Sequence, residues 1–96
     1  MKKYEAHEIA ANMGSLSGWT FSYDGIEKEF KFADFKTAFG AMTRIAFEAE
    51  VMNHHPEWFN VYSTLRIRLS THDAGGVTDK DFNLAEKVEA IIQSIS

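Results

Sequence analysis

The apolar residues of this chain change their spacing four times, and that change limits the possible folds more than any other feature. Trp19, Phe21 and Tyr23 alternate with Thr20 and Ser22. Asp24-Gly25 follows, a pair that tolerates positive φ at both positions and so signals a two-residue hairpin turn. The return run alternates Ile26, Lys28, Phe30 and Phe32 with Glu27, Glu29 and Lys31. Behind Asp34, a suitable N-cap, Phe35, Ala38, Phe39, Met42, Ile45, Ala46, Ala49 and Met52 recur at helical spacing. That pattern predicts an amphipathic helix of about five turns. It must stop by Pro56, because the residue before a proline is pushed out of helical geometry. Period two then returns, with a strand from Trp58 to Tyr62 and a weak turn at Ser63-Thr64. A second strand follows, in which Leu65, Ile67 and Leu69 alternate with Arg66, Arg68 and Ser70. The helical period closes the chain with Leu84, Ala85, Val88, Ile91, Ile92 and Ile95 on one face. Thr78-Asp79-Lys80-Asp81 opens that helix with capping-box spacing. A shorter helix over 4–13 precedes all of this, and Gly14 suits the left-handed residue after it.

The order helix, two strands, helix, two strands, helix predicts an α+β fold. Its sheet has four antiparallel strands, with the helices packed on one face. Such a sheet leaves exposed edges, and pairing across an edge is one route to a dimer. Ninety-six residues suit a single domain spanning 1–96. A domain of that size buries only roughly 60–65% of its unfolded surface, so its margin is thin. Eight Phe, two Trp and three Tyr nevertheless supply ample core material, with enough left over to suggest a subunit interface. The absence of cysteine excludes disulfides, thiolate catalysis and zinc–cysteine sites. A net charge of −4 and a pI near 5.5 argue against direct nucleic-acid binding. Arg66 and Arg68 are too small a basic pair to track phosphates. Met1-Lys2-Lys3-Tyr4-Glu5 leads into a polar helix, so no signal peptide, no membrane association and a cytoplasmic location are expected.

Chemistry concentrates in two polar segments that hold three of the four histidines. These are His54-His55-Pro56-Glu57-Trp58, at the end of the long helix, and Ser70-Thr71-His72-Asp73, at the end of the last strand. Imidazole is the side chain suited to exchanging protons near neutral pH. The C-terminal end of a helix dipole favours its protonated form, and Pro56 restricts the backbone that presents it. Each residue also has a duller reading. His54 and His55 could simply cap the helix, and His72 could be an exposed strand-end residue. His7 suits a solvated helix face, Asp81 a cap, and Trp58 the core. Glu50 could orient a histidine or face solvent. A metal could in principle be held by three histidines and Glu50. Adjacent histidines diverge, however, and the chain has no His-x-His or His-x₃-His pair, so no metal is expected.

Taken together, Glu50-Val51-Met52-Asn53-His54-His55-Pro56-Glu57-Trp58-Phe59-Asn60-Val61-Tyr62, then Leu69-Ser70-Thr71-His72, then Asp81 resemble the signature of the pterin-4a-carbinolamine dehydratases. Phe35 to Arg44 is similar to their central helix, and Asp81 to Ala85 to their last one. The likeness runs from about Trp19 to near the C-terminus. It implies dehydration of 4a-hydroxytetrahydropterin to the quinonoid dihydropterin, which recycles the cofactor of aromatic amino acid hydroxylases. It also implies no metal or organic cofactor and assembly into a homodimer or homotetramer. Asn53-His54-His55 and Ser70-Thr71-His72 fall on the family's binding segments. Pro56, Trp58 and Asp81 are carried over with them as substrate-binding residues. Asn53 stands where well-known members have Asp, and Lys80 where Arg is expected. Within this resemblance, His54 and His72 are the expected acid/base pair, and His55 is expected to place the ring. Glu50 would orient a histidine, and Ser70 and Thr71 would offer hydrogen bonds. Two alternatives accompany it. Animal members also serve as dimerisation cofactors of a homeodomain transcription factor, which would make the chain an interaction module. A related enzyme could instead act on another pterin, for example in molybdenum cofactor metabolism.

Overall fold

A computed structural model describes residues 2–95; the two end positions of the predicted 1–96 unit, Met1 and Ser96, lie outside it. The elements follow the predicted order: α1 (Ala6–Met13), β1 (Thr20–Ser22), β2 (Gly25–Lys31), α2 (Phe35–Met52), β3 (Glu57–Val61), β4 (Thr64–Leu69), a 3₁₀ turn (His72–Ala74) and α3 (Asp79–Ile95). The four strands form one antiparallel sheet in the order β1-β2-β4-β3. The α+β expectation holds.

Register explains the layering. Ile26 pairs with Leu69 and Phe30 with Leu65, while Ile67 lies between Lys28 and Trp58. These inward residues share one buried cluster with Ile45 of α2 and with Phe82, Leu84, Ala85 and Val88 of α3. The opposite face carries Glu27, Arg68 and Glu57 in one row, and Glu29, Arg66 and Phe59 in the next. Arg68 bonds Glu27 at 3.1 Å, and the Arg66 guanidinium sits 5.1 Å from the Phe59 ring centre. Strict alternation thus gives the sheet one apolar face under the helices and one polar face. Among the described residues no helix is long and apolar enough to cross a membrane.

Both hairpins turn one residue earlier than their sequences suggest. Tyr23 and Tyr62 take positive φ, at 56° and 52°, so the turns are Tyr23-Asp24 and Tyr62-Ser63. Gly25 lies in the strand paired with Ser22. Its lack of a side chain serves a close approach instead. A Cβ there would come within 2.8 Å of the Arg68 guanidinium carbon and 2.9 Å of the Leu69 carbonyl. The first helix begins at Ala6 rather than residue 4: Glu5 is extended, with ψ 161°, and caps the helix with Glu8, while the Tyr4 N–H donates to the Val77 carbonyl at 2.8 Å. Gly14 is right-handed, with φ −59°, and the left-handed glycine of that loop is Gly18. The long helix begins where predicted. Asp34 accepts the Thr37 N–H at 2.8 Å, and hydrogen bonding from the Thr37 side chain, then from its backbone, holds its carboxyl below the usual carboxylate range.

Candidate active site

The end of α2 delivers the first two histidines. Asn53 is left-handed, with φ 53° and ψ 42°, and its N–H reaches the Glu50 carbonyl at 3.1 Å. The His54 N–H reaches back to Ala49 at 3.0 Å. These two bonds form a Schellman ending, which satisfies carbonyls left free by the helix. Asparagine and aspartate tolerate this backbone better than other side chains do. The position therefore suits Asn53 on conformational grounds, whatever it offers a ligand. The chain then leaves the helix axis, and His54 and His55 point to different surroundings.

His54 turns inward. Its side chain is 9% exposed, and its Nε2 lies 2.6 Å from Oδ1 of Asp81, which is fully buried. Oδ2 of Asp81 accepts the Thr71 hydroxyl at 2.8 Å and the Thr78 N–H at 2.9 Å. The Thr71 proton is committed there, so the Thr78 hydroxyl donates to Thr71 Oγ1 at 2.8 Å and accepts the Lys80 N–H at 3.2 Å. These four residues are the buried polar set, and no buried side-chain nitrogen or oxygen among the described residues lacks a partner. A satisfied buried network of this kind fixes one arrangement. A carboxylate can only accept, so His54 carries a proton on Nε2. Its Nδ1 is the nitrogen left to exchange a proton.

The other two imidazoles face solvent. His55 is 58% exposed and pairs with Glu50 at 2.5 Å, whereas His72 is 78% exposed and lies 3.1 Å from Glu57. All three histidines line one cavity of about 300 Å³, together with Asn53, Glu57, Ser70, Thr71, Asp73 and Lys80. Among the described residues no group of three or more His, Asp and Glu is disposed to hold a metal.

This geometry can be set beside known proteins. The family model for pterin 4 alpha carbinolamine dehydratase matches residues 2–91. The chain belongs to this family. A relative in Christiangramia forsetii, provisionally named pterin-4-alpha-carbinolamine dehydratase, is 51% identical over 98% of this chain and 97% of its own length. One in Solibacter usitatus with the same provisional name is 54% identical over 93% and 94%. A crystal structure of a transcriptional coactivator/pterin dehydratase from Brucella melitensis superposes with a TM-score of 0.92 at 40% identity, covering 94% of this chain and 98% of that one. The dehydratase family is one of hydro-lyases, and its match here extends to residues N-terminal of Trp19.

Six of the expected dehydratase site residues meet at the cavity: Asn53, His54, His55, Ser70, Thr71 and His72. Four others do not line it. Asp81 is corrected from a substrate contact to a residue behind His54, since its carboxylate is fully buried and both its oxygens are bonded. Trp58 packs against the core cluster on the inner sheet face rather than over the cavity. Glu50 lies outside the cavity lining, its exposed carboxylate 2.5 Å from His55. Pro56 is half-buried, directly before β3, and does not line the cavity. The Ser70 hydroxyl donates to the Asp24 carbonyl at 2.6 Å and the Thr71 hydroxyl to Asp81, so both protons are already committed. Glu57 and Asp73 carry no role in the sequence reading, yet both line the cavity. Glu57 was within reach, being two residues from His55 inside the same motif.

Proposed function

We propose that the chain dehydrates a 4a-hydroxytetrahydropterin to the quinonoid dihydropterin, with His54 and His72 exchanging protons and His55 placing the ring. The C4a–oxygen bond breaks, and the hydroxyl leaves as water with a proton from one imidazole. The other imidazole takes the N5 proton, and the freed electron pair closes the C4a–N5 double bond. One acid and one base therefore suffice, each worth roughly 10²–10⁴-fold, and no metal or organic cofactor enters the balance. The observation that carries this reading is the His54–Asp81 bond beneath a cavity shared with His72. The buried carboxylate fixes the ring's tautomer and stabilises the imidazolium that forms when Nδ1 takes up a proton. About 300 Å³ lies at the small end of ligand pockets, which suits a bicyclic ring. The product would return to an aromatic amino acid hydroxylase.

Edge strand β3 exposes Phe59 and Val61, and α2 exposes Phe35, Phe39, Phe47 and Val51. These surfaces favour a homodimer or homotetramer over a lone chain. The same apolar surface supports the second reading, a protein-interaction role, which would leave the histidines idle. Turnover separates the two. Purified protein added to a hydroxylase reaction should speed the decay of the 4a-hydroxy intermediate. Decay no faster than the spontaneous rate would overturn the dehydratase reading. Comparison of pterins with different side chains, including those of molybdenum cofactor metabolism, defines the substrate.

A further inference from the structure

The segment before α1 is not a loose end. The Tyr4 N–H donates to the Val77 carbonyl at 2.8 Å, and the Tyr4 hydroxyl donates to the Asp79 carboxylate. The Tyr4 ring lies 5.3 Å from that of Phe82, tilted by 34°. The Lys3 side chain crosses Gly76 so closely that a Cβ there would come within 2.8 Å of it. Apart from its bonds to Glu8 of α1, the strap grips residues 76–82.

Those residues are the approach to α3 and its first turn. Three consecutive residues of that turn serve three places: Asp79 bonds Tyr4, Lys80 lines the cavity, and Asp81 bonds His54. The first turn of a helix lacks half its backbone bonds and is the part most prone to fray. Here its outer side is tied by Tyr4 and its inner side ties His54. The same loop is closed by the Thr71–Gly76 bridge, directly before His72.

We propose that the Lys2–Glu5 strap, acting through Tyr4, is a positioning element of the active site that holds the first turn of α3 and with it His54. The proposal rests on the assignment of His54 to proton transfer. Catalytic geometry is steep in distance, with about 1 Å of misplacement costing roughly 10²-fold. The bond to Asp79 holds the Tyr4 phenol above its ordinary range.

The test compares Tyr4→Phe, Tyr4→Ala, Asp79→Ala and Asp79→Asn in the dehydration assay, and follows the His54 and His55 ring resonances by NMR. Tyr4→Phe keeps the ring on Phe82 and loses the hydroxyl. It should lower kcat about three- to tenfold with KM within about twofold, and Tyr4→Ala should lower kcat about tenfold or more. Asp79→Asn still accepts the phenol and should stay near wild type, while Asp79→Ala should match Tyr4→Phe. The double variant Tyr4→Phe/Asp79→Ala should be no worse than either single one. In Tyr4→Ala the His54 resonances should shift while those of His55, held by Glu50, stay in place. Unchanged His54 resonances, or equal shifts in both rings, would overturn the strap. So would unchanged kcat in Tyr4→Ala when wild type turns over. Absent turnover in wild type would instead count against the dehydratase reading, and the NMR comparison would still decide the strap.

Discussion

The two sides of the cavity are built on opposite plans. On one side His54 is 9% exposed and bonded to a fully buried carboxylate that two further donors also hold. On the other, His55 and His72 are 58% and 78% exposed, and each meets a carboxylate that is itself exposed. Charged pairs in water gain little and reorganise easily, whereas buried ones are costly to disturb. The cavity therefore joins one fixed imidazole to two that can adjust to a ring entering from solvent.

Removing the fixed side should have the largest effect. Asp81→Ala strands the His54 N–H, the Thr71 hydroxyl and the Thr78 N–H in the interior. Breaking a buried pair from one end costs about 3–5 kcal/mol, a large share of what a small domain has. The thermal midpoint should fall sharply, and activity with it. His54→Ala should lower kcat by roughly 10²–10⁴-fold. If both variants retained wild-type kcat, the buried side would be structural only.

The open side should respond without loss of stability. His72→Ala should also lower kcat by roughly 10²–10⁴-fold, yet change unfolding free energy by no more than about 0.5 kcal/mol. His55→Ala should chiefly raise KM, by about tenfold, because a ring-placing contact acts on ground and transition states alike. Equal, small effects from His54, His55 and His72 would erase the proposed division. Glu50→Gln probes the exposed pair alone and should shift KM by about twofold or less, given the weakness of such pairs. A larger loss in kcat would show that His55 works as more than a holder.

This division was only half legible in the sequence. The element order and the α2 N-cap at Asp34 followed from spacing, because periodicity reports directly on which face is buried, whereas the meeting of the two histidine segments was implied only by the family resemblance. Asp81 shows the limit. The capping-box pattern predicts the bond from Thr78, but not that the same carboxylate reaches back 27 residues to His54. Nothing local encodes that second bond; only the packing of α3 against the end of α2 brings it about. The hairpins failed for a different reason. Asp24-Gly25 is the favoured turn pair, yet Gly25 is needed in the strand, where Arg68 and Leu69 leave no room for a Cβ. Tyr23 is left to take the positive φ.

Asp34 offers the smallest and cleanest contrast with Asp81, because both carboxylates accept an N–H at the start of a helix. Asp34 sits on the surface and touches nothing in the cavity. Thr37 holds its carboxyl below the ordinary range, so the folded state favours the ionised form. A lowered folded-state value adds stability that is fully present above the unfolded carboxylate range, near pH 4, and is lost as pH falls through the folded value. Asp34→Ala should therefore lower the thermal midpoint by a few degrees at neutral pH, with the gap to wild type closing in strong acid. Turnover per folded molecule should not change. If Asp34→Ala reduced kcat as Asp81 variants do, damage to any helix start would mimic the catalytic defect, and the special position of Asp81 behind His54 would lose its support.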